Sequence, residues 1–515
     1  MSTLKTAEQW SQIGFYPHHG ICIPISALRT KKSCGIGEFI DLIPLIDWCK
    51  SLKFDCIQLL PINDSGDDPS PYNPISSIAL DPIYLSLADL TDAGPLTVEL
   101  EHFQPFTELD RVARDQVKHQ KMQWLFQYYQ LVFPSISNTV PYQSFVEENP
   151  WLQTYALFKA IKDEYGGKRW EDWPIEYQVP DLKYINEKQV AVNYHIFLQY
   201  LCFSQMRKVK AYATERKIFL KGDIPILLSP DSADVWAHRH LFRFDLVAGA
   251  PPDYYNANGQ KWGFPLFNWD EIQKSGFSWW KQRLKTMENF FHIYRIDHVV
   301  GFFRIWGIPK DKKPTEGHYV PSDTSLWDHQ GREILEMMIH SSQLLPIAED
   351  LGTIPKGVRP ILKELGICRT IVMRWERHWE GDKSFVPFSQ YDPFSLTTMS
   401  TPDTEPFKLW WKKYPDEAIP FAHFRNWSYH PDLTPQQQFD IIRDAHHTPS
   451  YFHINILQEY LSLFPELVWP NLEDERFNVP GTLLPTNWTY RFRPYLEDLL
   501  AHQELRETIG KILEN

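Results

Sequence analysis

The sequence contains no Cys-x-x-Cys pair. Its six cysteines, Cys22, Cys34, Cys49, Cys56, Cys202 and Cys368, lie scattered through 515 residues. That length rules out a disulfide-stapled mini-domain, and reduced thiols in a cytoplasmic protein are the expectation. Long apolar runs are also missing: nothing approaches a membrane span. Residues 1–20 include Lys5, Glu8, Gln9 and two histidines, which leaves no stretch of signal-peptide length. Positive charge is in deficit as well, with 52 basic against 65 acidic residues and a formal charge of -13. Such a surface repels phosphate backbones, so neither nucleic acid nor an anionic membrane is expected as a partner.

Several chemistries lack their motifs. His238/His240 and His446/His447 form neither His-Glu-x-x-His nor a finger spacing, and no Gly-x-Ser-x-Gly is present. Gly35-Ile36-Gly37 lacks the third glycine of a dinucleotide loop, and there is no Walker loop. No twelve-residue calcium loop is found either. The expectation is an enzyme without metal or cofactor. Gly/Ser linkers, charge blocks and short repeats are likewise missing, which favours one large domain over a string of small ones.

Aromatic residues are plentiful: 20 tryptophans, and 15% aromatic overall. Flat rings stack on the C–H faces of sugars, although aromatics are first of all core residues. Short apolar runs bounded by turn residues recur at 20–25, 56–62, 218–228, 292–299, 344–351, 368–375 and 396–400, as buried parallel strands do. An eighth would come from the C-terminal part, where no run stands out. Amphipathic stretches at 39–52, 194–215, 279–291, 332–343 and 355–365 alternate with the strands, a pattern compatible with a barrel or a doubly wound sheet. Residues 63–217 read as helices and Pro-rich loops inserted after the second strand.

In a (β/α)8 barrel, catalytic groups sit at the C-terminal ends of strands, and four acids fall there. Asp223 lies in Lys221-Gly222-Asp223-Ile224-Pro225, where it could serve catalysis or merely cap a turn. In Tyr294-Arg295-Ile296-Asp297-His298, strand alternation puts Arg295 and Asp297 on one face. The guanidinium would lower the aspartate's pKa, as a nucleophile requires; the alternative is a structural ion pair. Glu349 and Asp350 end an apolar run and must face opposite sides, so only one can enter the barrel mouth. Neighbouring carboxylates would raise Glu349 and suit it to proton donation, whereas an N-cap role fits Asp350 better. Asp403, in Ser400-Thr401-Pro402-Asp403-Thr404, is by itself an ordinary Pro-Asp turn. Together, a nucleophilic and a protonating carboxylate are what retaining glycoside chemistry needs.

Ordered motifs along nearly the whole chain sharpen this reading. They include Gly35-Ile36-Gly37-Glu38, Ser70-Pro71-Tyr72-Asn73-Pro74, Gly249-Ala250-Pro251-Pro252-Asp253, Gly259-Gln260-Lys261-Trp262-Gly263, Arg295-Ile296-Asp297-His298, Ala348-Glu349-Asp350-Leu351-Gly352 and Asn478-Val479-Pro480-Gly481-Thr482. On these the sequence resembles the amylomaltases, the 4-α-glucanotransferases of glycoside hydrolase family 77. The resemblance implies an α/β fold: one (β/α)8 TIM barrel over residues 1–515, with large helical and loop insertions between barrel strands and no separate C-terminal β-sandwich domain. It implies transfer of α-1,4-glucan segments among maltooligosaccharides or glycogen. Asp297 would be the nucleophile, Glu349 the general acid/base and Asp403 the stabilising carboxylate. Arg295 and Asp223 would line the donor site with Tyr72 stacking there, and Asp253, Gln260 and Trp262 would contact glucan from a cleft-covering loop at 249–269. One departure stands out: the family usually carries His immediately before the third aspartate, and this chain has Pro402. Two competing readings follow, an α-glucan hydrolase using the same carboxylates and a catalytically weakened glucan-binding protein.

Overall fold

The computed structural model describes residues 4–252 and 257–514. In chain order the strands are β1 (His18–Ile23), β2 (Cys56–Leu59), β3 (Phe219–Ile224), β4 (Phe242–Ala250), β5 (Gln260–Phe267) and β6 (Ile293–Ile296). They continue with β7 (Ile305–Pro309), β8 (His318–Val320), β9 (Leu345–Ala348), β10 (Arg369–Val372), β11 (Ser395–Thr398) and β12 (Phe452–Ile456). Eight of these, β1, β2, β3, β6, β9, β10, β11 and β12, form one parallel sheet whose neighbours follow chain order. A parallel bridge between Ile347 and Cys368, with the Ala348 amide donating to the Cys368 carbonyl at 2.8 Å, joins β9 to β10 and closes the ring. This is the (β/α)8 barrel, not the doubly wound sheet.

All seven apolar runs of the sequence overlap a barrel strand, five of them containing it whole. Strands such as Cys56–Leu59 and Leu345–Ala348 are buried at every position, lumen on one face and helices on the other, and so read as unbroken hydrophobic stretches. The eighth, β12, is also wholly buried but escapes the pattern because His453 and Asn455 alternate with its apolar residues. Both polar groups are engaged: Asn455 accepts the Met399 amide at 2.9 Å, and His453 meets Thr448. Where β1 and β2 converge, a Cβ on Gly20 would lie 2.2 Å from the Cys56 carbonyl oxygen, so only glycine fits. Helix Ala7–Ile13 closes the N-terminal end of the barrel by burying Trp10 against Phe394 and Phe452.

Between β2 and β3 the chain folds into helices, chiefly Arg114–Ile136, Val140–Glu148, Trp151–Glu164 and Gln189–Glu215. Their aromatic faces merge into the same buried cluster as the barrel. Two buried ion pairs fasten the first of them down: Arg114 to Asp81 at 2.8 Å and Lys121 to Glu38 at 2.6 Å. The Lys121 ammonium also donates to the carbonyls of Ile83 and Leu85, so its three protons are all used.

The remaining strands make an antiparallel sheet in the order β5-β4-β7-β8 beside the barrel mouth. The sequence expectation for 249–269 was a cleft-covering loop; the described part of that stretch includes the end of β4 and the whole of β5, which pair antiparallel. Register shifts between Arg243, Val247 and Gly249 break the two-residue alternation that would reveal the strands. No helix among the described residues is long and apolar enough to cross a membrane.

Two stability predictions follow from buried charge. Lys121→Met leaves the Glu38 carboxylate buried without a counter-ion and should cost about 3–5 kcal/mol in denaturant unfolding, most of it recovered by adding Glu38→Gln. Outside the barrel wall, His19, His446 and His453 pack ring on ring, with His19 and His446 joined at 2.9 Å. Burial pushes His19 down to about 4 and His453 to about 3, and lowers His446 well below the usual histidine value, with Asp55 opposing the effect at His19. The unfolded chain takes up these protons near pH 6.5 and the folded one does not until about 4. Thermal unfolding should therefore show stability falling as pH drops from about 6.5 toward 4, and His453→Gln should flatten that slope.

Candidate active site

Strand register gathers the acids. Asp223 near the end of β3 pairs directly with Arg295 on β6, and Arg295 pairs in turn with Ile347 on β9, two positions before Glu349. Adjacent strands therefore deliver Asp223, Arg295, Asp297 and Glu349 to one side of the mouth. The arginine is their common partner. One terminal nitrogen lies 2.9 Å from both oxygens of Asp223; the other lies 2.8 Å from Asp297 Oδ1 and 3.8 Å from Glu349 Oε2. The nearest oxygens of Asp297 and Glu349 can thus be no farther apart than the sum of the last two distances. As period-two alternation requires, Arg295 and Asp297 share a face.

Glu349 is held by backbone. Its Oε2 accepts the His298 amide at 2.7 Å and its Oε1 the Leu351 amide at 2.8 Å. Asp350 points the other way, fully buried, where it accepts from Arg359 at 2.9 Å and from the Thr370 amide at 3.0 Å. It is not a helix N-cap; it pins the start of β10 to the end of β9. Asp403 follows β11 in a turn closed by the Thr404 amide on the Thr401 carbonyl. Pro402 has no N–H to give, and Asp403 Oδ1 instead accepts from Asn478 Nδ2 at 3.1 Å.

The other residues expected at the site converge on it, with one exception. Tyr72 donates to Asp223 Oδ2 at 2.8 Å. Its ring meets Trp488 with centroids 5.6 Å apart. On β5, Trp262 donates to Gln260 at 3.0 Å and meets the His298 ring edge-to-face at 5.2 Å. Asp253 lies outside the described residues. Asn478 and Trp488 had been assigned no role; both sit in a C-terminal loop held by Asn487, which accepts the Val479 amide and donates to Thr482. Lys221 also went unremarked, though it is two residues from Asp223 and so on the same strand face. It donates to Gln58 at 2.6 Å, buried, and burial followed by the charge of Arg295 brings it down to about 8.

Burial dominates the electrostatics. It pushes Glu349 up to about 7, with the charge of Asp297 adding and Arg295 opposing. Asp297 is also raised: burial outweighs the adjacent guanidinium, and Asp403 adds to the effect. Contrary to the expectation that Arg295 would set this aspartate low, burial, aided by the charge of Asp403, outweighs the guanidinium. Asp223 and Asp403 are raised for the same first reason, and Arg295 is held well above its usual range by the acids around it. Among the described residues no group of three or more His, Cys, Asp or Glu is arranged to hold a metal ion.

Comparison with known proteins agrees with this geometry. The glycoside hydrolase 77 family, described as 4-alpha-glucanotransferase, matches residues 23–497. A 4-alpha-glucanotransferase of Chlamydia caviae is 44% identical over 98% of this chain and 96% of its own length. One of Synechocystis is 32% identical over 94% and 95%. In fold, the chain is similar to the amylomaltase of Streptococcus agalactiae in complex with acarbose, with a TM-score of 0.81, 24% identity, and coverage of 96% of this chain and 98% of that one. The barrel, the acids at its mouth and these matches lead to one conclusion: the chain belongs to glycoside hydrolase family 77, the 4-alpha-glucanotransferases.

Proposed function

We propose that this 4-alpha-glucanotransferase works by double displacement, with Asp297 as nucleophile and Glu349 as acid and then base. The observation that carries the assignment is the sharing of Arg295. It keeps the Asp297 and Glu349 oxygens within a span that includes the roughly 5–5.5 Å of a retaining pair and reaches only the lower edge of the roughly 6.5–9.5 Å of an inverting one. Glu349, up near 7, carries its proton in a good share of molecules at neutral pH. Asp297 has the closer guanidinium contact and is the better placed of the two to be an anion.

In the first half-reaction the Glu349 proton goes to the glycosidic oxygen as Asp297 attacks C1. The C1–O bond breaks, the released fragment leaves with a new 4-hydroxyl, and a glycosyl ester remains on Asp297. In the second half, the 4-hydroxyl of an acceptor glucan attacks C1 while Glu349 takes its proton and Asp297 departs as carboxylate. Asp223, Arg295 and Asp403 hold the hydroxyls of the reacting sugar, and Tyr72 stacks beneath it. Maltooligosaccharides and glycogen both present the required non-reducing 4-hydroxyl. Gln260 and Trp262, on a ribbon over the mouth, exclude water and favour a sugar acceptor. The six buried, unpaired cysteines support a reducing, cytoplasmic setting.

Maltotriose should yield a ladder of longer oligomers plus glucose; new reducing ends with no longer product would make the protein a hydrolase. Asp297→Ala and Glu349→Gln should each lower kcat by about a thousandfold while leaving glucan binding intact. A fluorinated glucosyl fluoride should mass-label the peptide containing Asp297, and a label on any other carboxylate rejects the assignment. Because the acid must hold its proton, the rate of glycosyl-enzyme formation should fall as pH rises through about 7. Glu349→Gln should abolish that alkaline limb.

A further inference from the structure

A cavity of about 400 Å3 opens where the small antiparallel sheet meets the barrel loops, within the roughly 300–1,000 Å3 range of small-ligand sites. Its floor is barrel, from Ile226 and Leu227 after β3 and Gly301 after β6; its walls are the start of β4, the end of β5 and β8. None of Asp223, Asp297, Glu349 and Asp403 lines it. Along β5 it lies at the Leu266–Phe267 end, five residues from Trp262, a distance of roughly 15 Å on an extended strand.

The lining has a definite chemistry. Trp269 and Tyr319 supply aromatic surface. Tyr319 is held in place by the Arg304 guanidinium 3.7 Å from its ring centre and by Trp306 and Trp327 at its edges. Around these rings stand polar groups with unused capacity: the Tyr319 hydroxyl, the Trp269 indole N–H, the His318 ring and the Asp270 carboxylate make no hydrogen bond or ion pair with any described residue. Gln330 uses its amide N–H on the Phe302 carbonyl and keeps its oxygen free. The one arginine present, Arg243, is already bonded twice to Asp245, so the cavity holds no spare positive charge for a phosphate or carboxylate. Fixed rings beside hydrogen-bonding groups, with a carboxylate and no spare arginine or lysine among them, suit an uncharged polyol with apolar C–H faces and hydroxyls to donate.

We infer that this cavity is a second glucan site, which holds a short α-1,4-linked segment of a polymeric substrate away from the reacting residues. The inference rests on the transfer of α-1,4-glucans proposed above. A bound segment would tether long chains and raise their effective concentration at the barrel mouth, a benefit that short oligomers spanning only the catalytic cleft would not receive. The floor residue Gly301 touches the other centre as well: a Cβ there would lie 3.2 Å from the His298 ring and 2.8 Å from Ile226, so the cavity and the catalytic loop are packed together.

The test uses the full chain. Calorimetric titration of Glu349→Gln with maltoheptaose should show two classes of site. Adding Asp270→Ala with His318→Ala, both at exposed positions, should remove the weaker class and leave the tighter one. Ser322→Trp, which fills the cavity from its rim, should do the same. In the otherwise wild-type enzyme these substitutions should leave kcat on maltotriose within about twofold and raise KM for soluble amylose about tenfold. A single class of site in Glu349→Gln, or equal losses on maltotriose and amylose, overturns the proposal. Failure of the unsubstituted enzyme to disproportionate maltotriose would instead count against the transferase reading, while the titration still judges the cavity.

Discussion

Everything at the barrel mouth is arranged around one guanidinium. Arg295 faces Asp223, Asp297 and Glu349 within ion-pair distance, in a place where burial alone would drive those acids toward their neutral forms. A single cation cannot neutralise three buried carboxylates, so the acids compete for it. Asp223, engaged by one terminal nitrogen at 2.9 Å to both its oxygens, takes the larger share; Asp297 takes the other nitrogen, and Glu349 is left at 3.8 Å. Burial raises both Asp297 and Glu349, and the closer guanidinium opposes it more directly at Asp297, a difference in the direction that the proposed nucleophile and acid roles require. Lys221, two residues below Asp223, adds positive charge under the cluster but is itself pulled down by burial and by Arg295.

The barrel makes this arrangement cheap to specify. Parallel strands in chain order place neighbouring strand ends side by side, so Asp223 and Arg295 on their strands meet Asp297 and Glu349, each one residue past a strand end. Backbone completes the job: the amides of His298 and Leu351 fix the Glu349 carboxylate, and the same two strand ends are tied by the Glu349 amide to the Ile296 carbonyl and the Val299 amide to the Glu349 carbonyl. Rigid supports of this kind hold reacting groups at the spacing the chemistry needs.

What could be read from sequence follows from where information is local. An acid ending an apolar run marks a strand end, and the alternation that puts Arg295 beside Asp297 needs only the residues themselves. Asp350 was correctly set apart from Glu349 by parity, although its partners, Arg359 and the Thr370 amide, depend on the next βα unit. The eighth strand was hidden because His453 and Asn455 interrupt it, and the hairpin of β4 and β5 because its bulges shift the register. Asn478 and Trp488 were out of reach for another reason. Their partners, Asp403 and Tyr72, lie 75 residues away in one case and most of the chain length in the other, and loop closure over such distances leaves no periodic trace. The protonation of Asp297 was misjudged by counting its nearest charge and not the burial of the whole cluster.

His298 links Glu349 to the β4–β5 ribbon. It follows Asp297 with φ at 48°, a left-handed conformation that costs a non-glycine residue on the order of 1–3 kcal/mol. That turn aims its amide at Glu349 Oε2 and leaves its ring edge-to-face with Trp262. That hydrogen bond favours the charged form of the carboxylate and so opposes the burial that raises Glu349. The left-handed turn at His298 thus supplies one of the two amides that fix the Glu349 carboxylate, Leu351 supplying the other, and it sets the His298 ring against Trp262.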